Sequence, residues 1–108
     1  MSERANFEKQ SIRDLQWEVR EWALKTFPGQ TVDGICAHLV REAGELRKDP
    51  ADIGEMADVF ILLMEVSAFQ GVTVDELIVA AWTKFHICKR RKWKAADAEG
   101  VFEHEEEA

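Results

Sequence analysis

Four carboxylates fall into two pairs, Glu42 with Glu45 and Glu55 with Asp58, and the Asp49-Pro50 stretch lies between them. On a helix, residues three apart share a face, so each pair presents two acids in one direction. Around the segment that follows Val32, the residues Ile35, Leu39, Ala43 and Leu46 make an apolar seam. Glu42 falls about 20° outside that seam at 100° per residue, and His38 and Glu45 extend the same side. The polar strip therefore runs beside the core rather than opposite it. Asp58 is flanked by Met56, Ala57, Val59 and Phe60. An unpaired carboxylate in such surroundings costs several kcal/mol or takes up a proton, so Asp58 is expected to be buried and compensated. Two antiparallel helices joined at Asp49-Pro50 bring both pairs to one end of a hairpin, where four carboxylates repel unless a cation sits among them. An all-oxygen cluster suits Mg²⁺ or Mn²⁺ over zinc. The plainer alternative is that either pair is solvated helix surface.

Cations and aromatic residues supply the rest of a possible site. Lys84, Cys88 and Arg91 lie at i, i+4 and i+7 and stack along one helix face, where an ammonium and a guanidinium suit phosphate. The run KRRK at 89–92 also complements the negative end of a helix dipole. His38 reads either as a metal or phosphate contact or as a hydrogen-bonded histidine at a packing edge. Gln16, Trp17 and Trp22 offer an amide and a stacking surface for a base, although Trp22 sits on the apolar face of its segment and reads more simply as core.

The elements that must position these groups are helices. Pro28, Pro50 and the Gly29, Gly34 and Gly71 neighbourhoods cut the chain into four stretches of helical periodicity. The first begins at a Ser11/Asp14 capping box and ends at Phe27-Pro28-Gly29. The second covers residues 32–48. The third is expected to start at Pro50 with Asp49 as its cap, and its apolar residues lie nearly all round, which marks the central helix. Thr73 with Glu76 caps the fourth, which is expected to reach residue 93. The predicted organisation is an N-terminal extension at 1–10, one all-α domain of four helices at 11–93, and an acidic tail at 94–108 expected to be disordered.

Composition bounds the function. The 108 residues suffice for one modest core, and a formal charge of -7 disfavours gripping nucleic acid, the KRRKW run notwithstanding. The sequence offers no membrane span and its start has no secretory-signal pattern, so the expected location is the cytosol. Cys36 and Cys88 form neither a disulfide framework nor a CxxC metal site. Four Trp and six Phe are more than four short helices bury alone, which leads to the expectation of a homodimer or a dimer of dimers.

The segments HLVREAGEL (38–46), DPADIGEMADVFILL (49–63) and KFHICKRRKW (84–93) resemble the all-α MazG-like nucleoside triphosphate pyrophosphohydrolases, whose signature is ExxE, a spacer, ExxD, then a Lys and an NxxR element. The short spacer, the preceding FPG and the DPxD turn look closest to the dATP/dGTP pyrophosphohydrolase subgroup of phages and bacteria, over roughly residues 27–93. The resemblance implies a four-helix MazG-like bundle that forms a homodimer or homotetramer. It also implies metal-dependent hydrolysis of a deoxynucleoside triphosphate to monophosphate and pyrophosphate. By the same resemblance Glu42, Glu45, Glu55 and Asp58 are the Mg²⁺ or Mn²⁺ ligands and Lys84 and Arg91 meet phosphate. Cys88 stands where the family has Asn, and a thiol is only a weak donor, which bears on the sugar or base contact. Glu42 and Glu45 are the candidates for taking the proton of the attacking water. The competing reading is a non-catalytic helical interaction module with solvated acids; a di-iron bundle would need Glu-x-x-His, which is missing.

Overall fold

The computed structural model describes residues 11–106, which form four helices: α1 (Ile12–Thr26), α2 (Val32–Lys48), α3 (Ile53–Phe69) and α4 (Val74–Arg90). The expected extension at 1–10 and the final two residues lie outside the described part. Each helix starts at a side chain that occupies orphan backbone donors. Ser11 and Asp14 form the reciprocal capping box, and the Thr31 hydroxyl accepts from Gly34 N at 3.1 Å. Thr73 accepts from Glu76 N at 3.2 Å and donates to the Glu76 carboxylate at 3.1 Å. The α1–α2 turn passes through Gly29 at φ +78°, a left-handed conformation that a side chain would strain.

The start of α3 differs from the sequence expectation. Asp49 closes α2, its N–H donating to Glu45 O, and Asp52 is the cap of α3, accepting from Gly54 N at 2.7 Å and Glu55 N at 3.4 Å. Pro50 belongs to the turn, which the Asp52 N to Asp49 O hydrogen bond closes at 3.1 Å. A carboxylate at this cap meets the positive end of the α3 dipole directly.

The chain separates into two compact units, the first ending at Leu77 and the second beginning at Ile78. In the first, α3 packs against both α1 and α2. Ala23 of α1, Ile35 of α2 and Leu62 and Met64 of α3 are buried, so α3 is the central helix that its all-round apolar pattern implies. Gln16 ties α1 to the turn after α3. Its amide N–H groups reach Met64 O, Ser67 Oγ and Val72 O at 3.4, 3.3 and 3.2 Å, and its Oε1 accepts from Val74 N at 2.9 Å. The Arg13 guanidinium adds an ion pair to Asp75 at 2.8 Å.

The second unit holds the remainder of α4 and a segment that folds back on itself. Lys94 N donates to Glu103 O and Glu105 N to Lys92 O, both at 2.8 Å, around an isolated bridge between Trp93 and His104. The Asp97 carboxylate accepts from Glu99 N and Val101 N at 2.9 and 3.0 Å, which makes the turn. This departs from the expected disordered tail: an Asx turn and a Trp93–His104 ring contact at 6.1 Å order a segment that is acidic and weakly apolar. α4 also ends at Arg90 rather than at residue 93. Among the described residues no single helix is long and apolar enough to cross a membrane.

Candidate active site

The short turn between α2 and α3 sets their acids face to face. Glu42, Glu55 and Asp58 each offer a carboxylate oxygen, and these atoms lie within 4.8 Å of one another. That spacing matches oxygen ligands at roughly 2.0–2.6 Å around one small dication. The distribution of burial is not the expected one. Asp58 is exposed, as are its neighbours Met56 and Phe60, while Glu55 carries an oxygen, Oε2, that is buried without a hydrogen-bond partner. The uncompensated carboxylate of the cluster is therefore Glu55. Its pKa is raised above the ordinary value of 4.5, first by burial and then by the charges of Asp52, Asp58, Glu42 and Glu45.

Glu45 stands at the margin. It contributes to the field on Glu55 but is exposed and lies 3.4 Å from Lys48 Nζ, outside the three-oxygen cluster. His38 Nε2 lies 3.3 Å from Glu42 Oε1, one helical turn before it, and it lines the cavity beside the acids. Gln16, expected to offer its amide to a base, has both ends of that amide engaged by the backbone and by Ser67, and it is not part of the cavity wall beside the acids.

A cavity of about 670 Å³ is lined by Glu42, Asp58 and His38, together with Leu62, Trp22, Phe27 and Glu65. Trp22 is 57% exposed and meets Phe27 edge-on at 5.1 Å, so it belongs to the cavity rim and not to the core. Two lining residues are not among the candidates above: Phe27, at the end of α1, and Glu65, whose position seven residues after Asp58 on the same face is the available signal.

Lys84, Cys88 and Arg91 belong to the second unit. Lys84 is exposed on α4, and Cys88 is half-buried with a free thiol, its carbonyl accepting from Trp93 Nε1 at 3.1 Å. Arg91 follows the helix, half-buried, with its Nε enclosed and without a hydrogen-bond partner.

The family described as dATP/dGTP pyrophosphohydrolase matches residues 15–107. A dATP/dGTP diphosphohydrolase of Salmonella phage PMBT28 is 34% identical over 97 residues, covering 87% of this chain but only 31% of that protein's length. The dATP/dGTP diphosphohydrolase of cyanophage S-2L is 36% identical over 96 residues, covering 87% of this chain and 88% of the relative. A solved structure, the cyanophage S-2L MazG-like pyrophosphohydrolase bound to dGDP and three catalytic Mn²⁺ ions per active site, superposes with a TM-score of 0.71 at 34% identity, over 94% of this chain and 99% of that one.

Proposed function

Because the chain belongs to the dATP/dGTP pyrophosphohydrolase family, we propose that it hydrolyses dATP or dGTP to the monophosphate and pyrophosphate with Mg²⁺ or Mn²⁺. The observation that carries this reading is the convergence of Glu42, Glu55 and Asp58 oxygens within 4.8 Å. The residues suit a hard dication: the donors are all carboxylate oxygens, and the buried Glu55 Oε2 lacks a partner that a cation would supply. A bound dication would neutralise phosphate charge, polarise the α-phosphorus and lower the pKa of a water molecule.

The chain's own residues then divide the work. Glu42, Glu55 and Asp58 would hold the ion, and His38, 3.3 Å from Glu42, would help to fix its rotamer. Asp52 anchors the start of α3 and with it the position of Glu55 and Asp58. Water attacks the α-phosphorus, the bond from that phosphorus to the bridging oxygen breaks, and pyrophosphate leaves. Glu42 and Glu45 are the candidates for taking the proton of the attacking water. The family resemblance assigns phosphate contacts to Lys84 and Arg91, and alanine at either is expected to raise KM. The test is pyrophosphate release from each common dNTP and NTP with Mg²⁺ or Mn²⁺. Release from dATP or dGTP that chelation abolishes is the expected result, and no release from any triphosphate rejects the reaction.

We further infer that the working form is a homodimer or homotetramer in the cytosol of a bacterium or a phage-infected cell, where the deoxynucleotide pool resides. Support comes from the α4 face of the second unit, where Ile78, Ala81, Trp82 and Phe85 line a shallow depression of about 290 Å³. Trp82 is 60% and Phe85 52% exposed there. Apolar surface of this kind marks an interface.

A further inference from the structure

The cavity has a third carboxylate beside Glu42 and Asp58, one that the hydrolytic reaction does not use. Glu65 is 4% exposed, it lines the cavity, and its Oε1 has no hydrogen-bond partner. It lies two helical turns beyond Asp58 on the same side of α3, about 10 Å along the axis. It is absent from the group of acids whose oxygens converge on a possible ion. The same cavity is lined by the apolar and aromatic side chains of Leu62, Trp22 and Phe27. A buried acceptor left unsatisfied costs free energy until a donor reaches it, so the geometry calls for a ligand with N–H groups at this end.

We propose that Glu65 is the base-reading residue of this site and that it selects guanine. The inference rests on the nucleotide reading above, because it takes the phosphates to lie at Glu42 and Asp58. The remaining length of the cavity then accommodates the deoxyribose and the base, with the Watson–Crick edge at Glu65 and the purine face against Trp22 and Phe27. An ionised carboxylate only accepts hydrogen bonds. Guanine presents two adjacent donors, N1–H and the N2 amino group, which match the two oxygens of Glu65 as a charge-assisted fork. Adenine presents its N6 amino group beside the N1 lone pair, which would face a carboxylate oxygen. Hypoxanthine keeps N1–H and loses the amino group. The expected order is therefore dGTP first, with dITP and dATP behind it.

Base analogues on the unaltered chain, together with Glu65→Gln, test this. Wild type is expected to prefer dGTP over dITP by about 10- to 100-fold in kcat/KM, the range that one or two hydrogen bonds to a buried charge supply. Glutamine has nearly the same shape but carries both a donor and an acceptor, which matches adenine. In E65Q the dGTP:dITP ratio is expected to collapse to within about threefold and the dATP:dGTP ratio to rise. Equal use of dGTP and dITP by wild type, or ratios unchanged in a folded E65Q, overturns the assignment. The wild-type analogue series decides the matter even if E65Q fails to fold. Calorimetric titration of dGDP, dIDP and dADP with Mn²⁺ separates this inference from the proposed reaction. Preferential binding of dGDP without turnover would reject the reaction and keep the role of Glu65. Turnover of dGTP without any preference over dITP would do the reverse.

Discussion

Glu55 concentrates the electrostatic conflict of the molecule, since one of its oxygens is buried and four acids surround it. Its folded pKa lies above the unfolded one, so the folded chain holds that proton more tightly. The stability it contributes is complete below the ordinary value of 4.5 and is lost as pH rises through the raised value. In EDTA the melting temperature is therefore expected to fall as pH climbs through that window. Mn²⁺ competes with the same proton, so its stabilising shift should be larger near about pH 7.5 than near pH 5, and an equal shift at both would count against Glu55 as a ligand. Glu55→Gln is expected to leave the metal-free melting temperature unchanged or higher while removing most of the Mn²⁺ shift. Asp58→Asn and Glu42→Ala should each lower kcat at least about 100-fold with helicity retained, by circular dichroism and pyrophosphate release. At this scale the spacing of Glu42, Glu55 and Asp58 was legible from sequence, because helical periodicity alone puts them on facing sides. Which of them would be buried was not, since it depends on how α3 packs against α1 and α2. Periodicity puts Glu65 on the Asp58 face of α3, but that this face borders a cavity depends on Trp22 and Phe27, about forty residues away in the chain.

The elements were more readable than the side chains. Ser11 and Thr73 cap α1 and α4 as their chemistry dictates, Thr31 caps α2 without having been singled out, and α2 covers the 32–48 stretch that its apolar seam marks out. The α2–α3 turn was misread by three residues because both Asp49 and Asp52 are good cap residues, and only the packing of α3 selects between them. Gln16 was misassigned for a related reason. A polar residue on an apolar helix face can serve a ligand or a neighbouring backbone, and here Val72, Val74 and Met64 claim it. Gln16→Ala would leave the Val74 N–H and two carbonyls without that partner. A loss of about 2–4 kcal/mol in denaturant unfolding is expected, with KM unchanged at a temperature where the variant is folded. A raised KM with unaltered stability would restore Gln16 to the substrate.

For the whole molecule, the buried apolar residues among those described are few: Ala23, Ile35, Leu62, Met64 and Val74. Against them stand Trp17, Val79 and Trp82, each at least 60% exposed. The aromatic content leads to the expectation of association, because four short helices enclose few rings. Sedimentation equilibrium is expected to give a dimer or tetramer for the wild-type chain, and Trp82→Arg to shift it toward monomer. A wild-type monomer at micromolar concentration would remove the proposed interface.

The hairpin of α2 and α3 carries a consequence for how the chain acquires its structure. All the acids that would hold the ion, and Glu65 as well, come from one uninterrupted stretch, so the centre depends on contacts close in sequence, which form early on a folding route. Mutual repulsion of those acids opposes the same early step. Divalent ions should therefore raise the refolding rate itself, steepening with concentration in stopped-flow traces, rather than only slowing the reverse reaction.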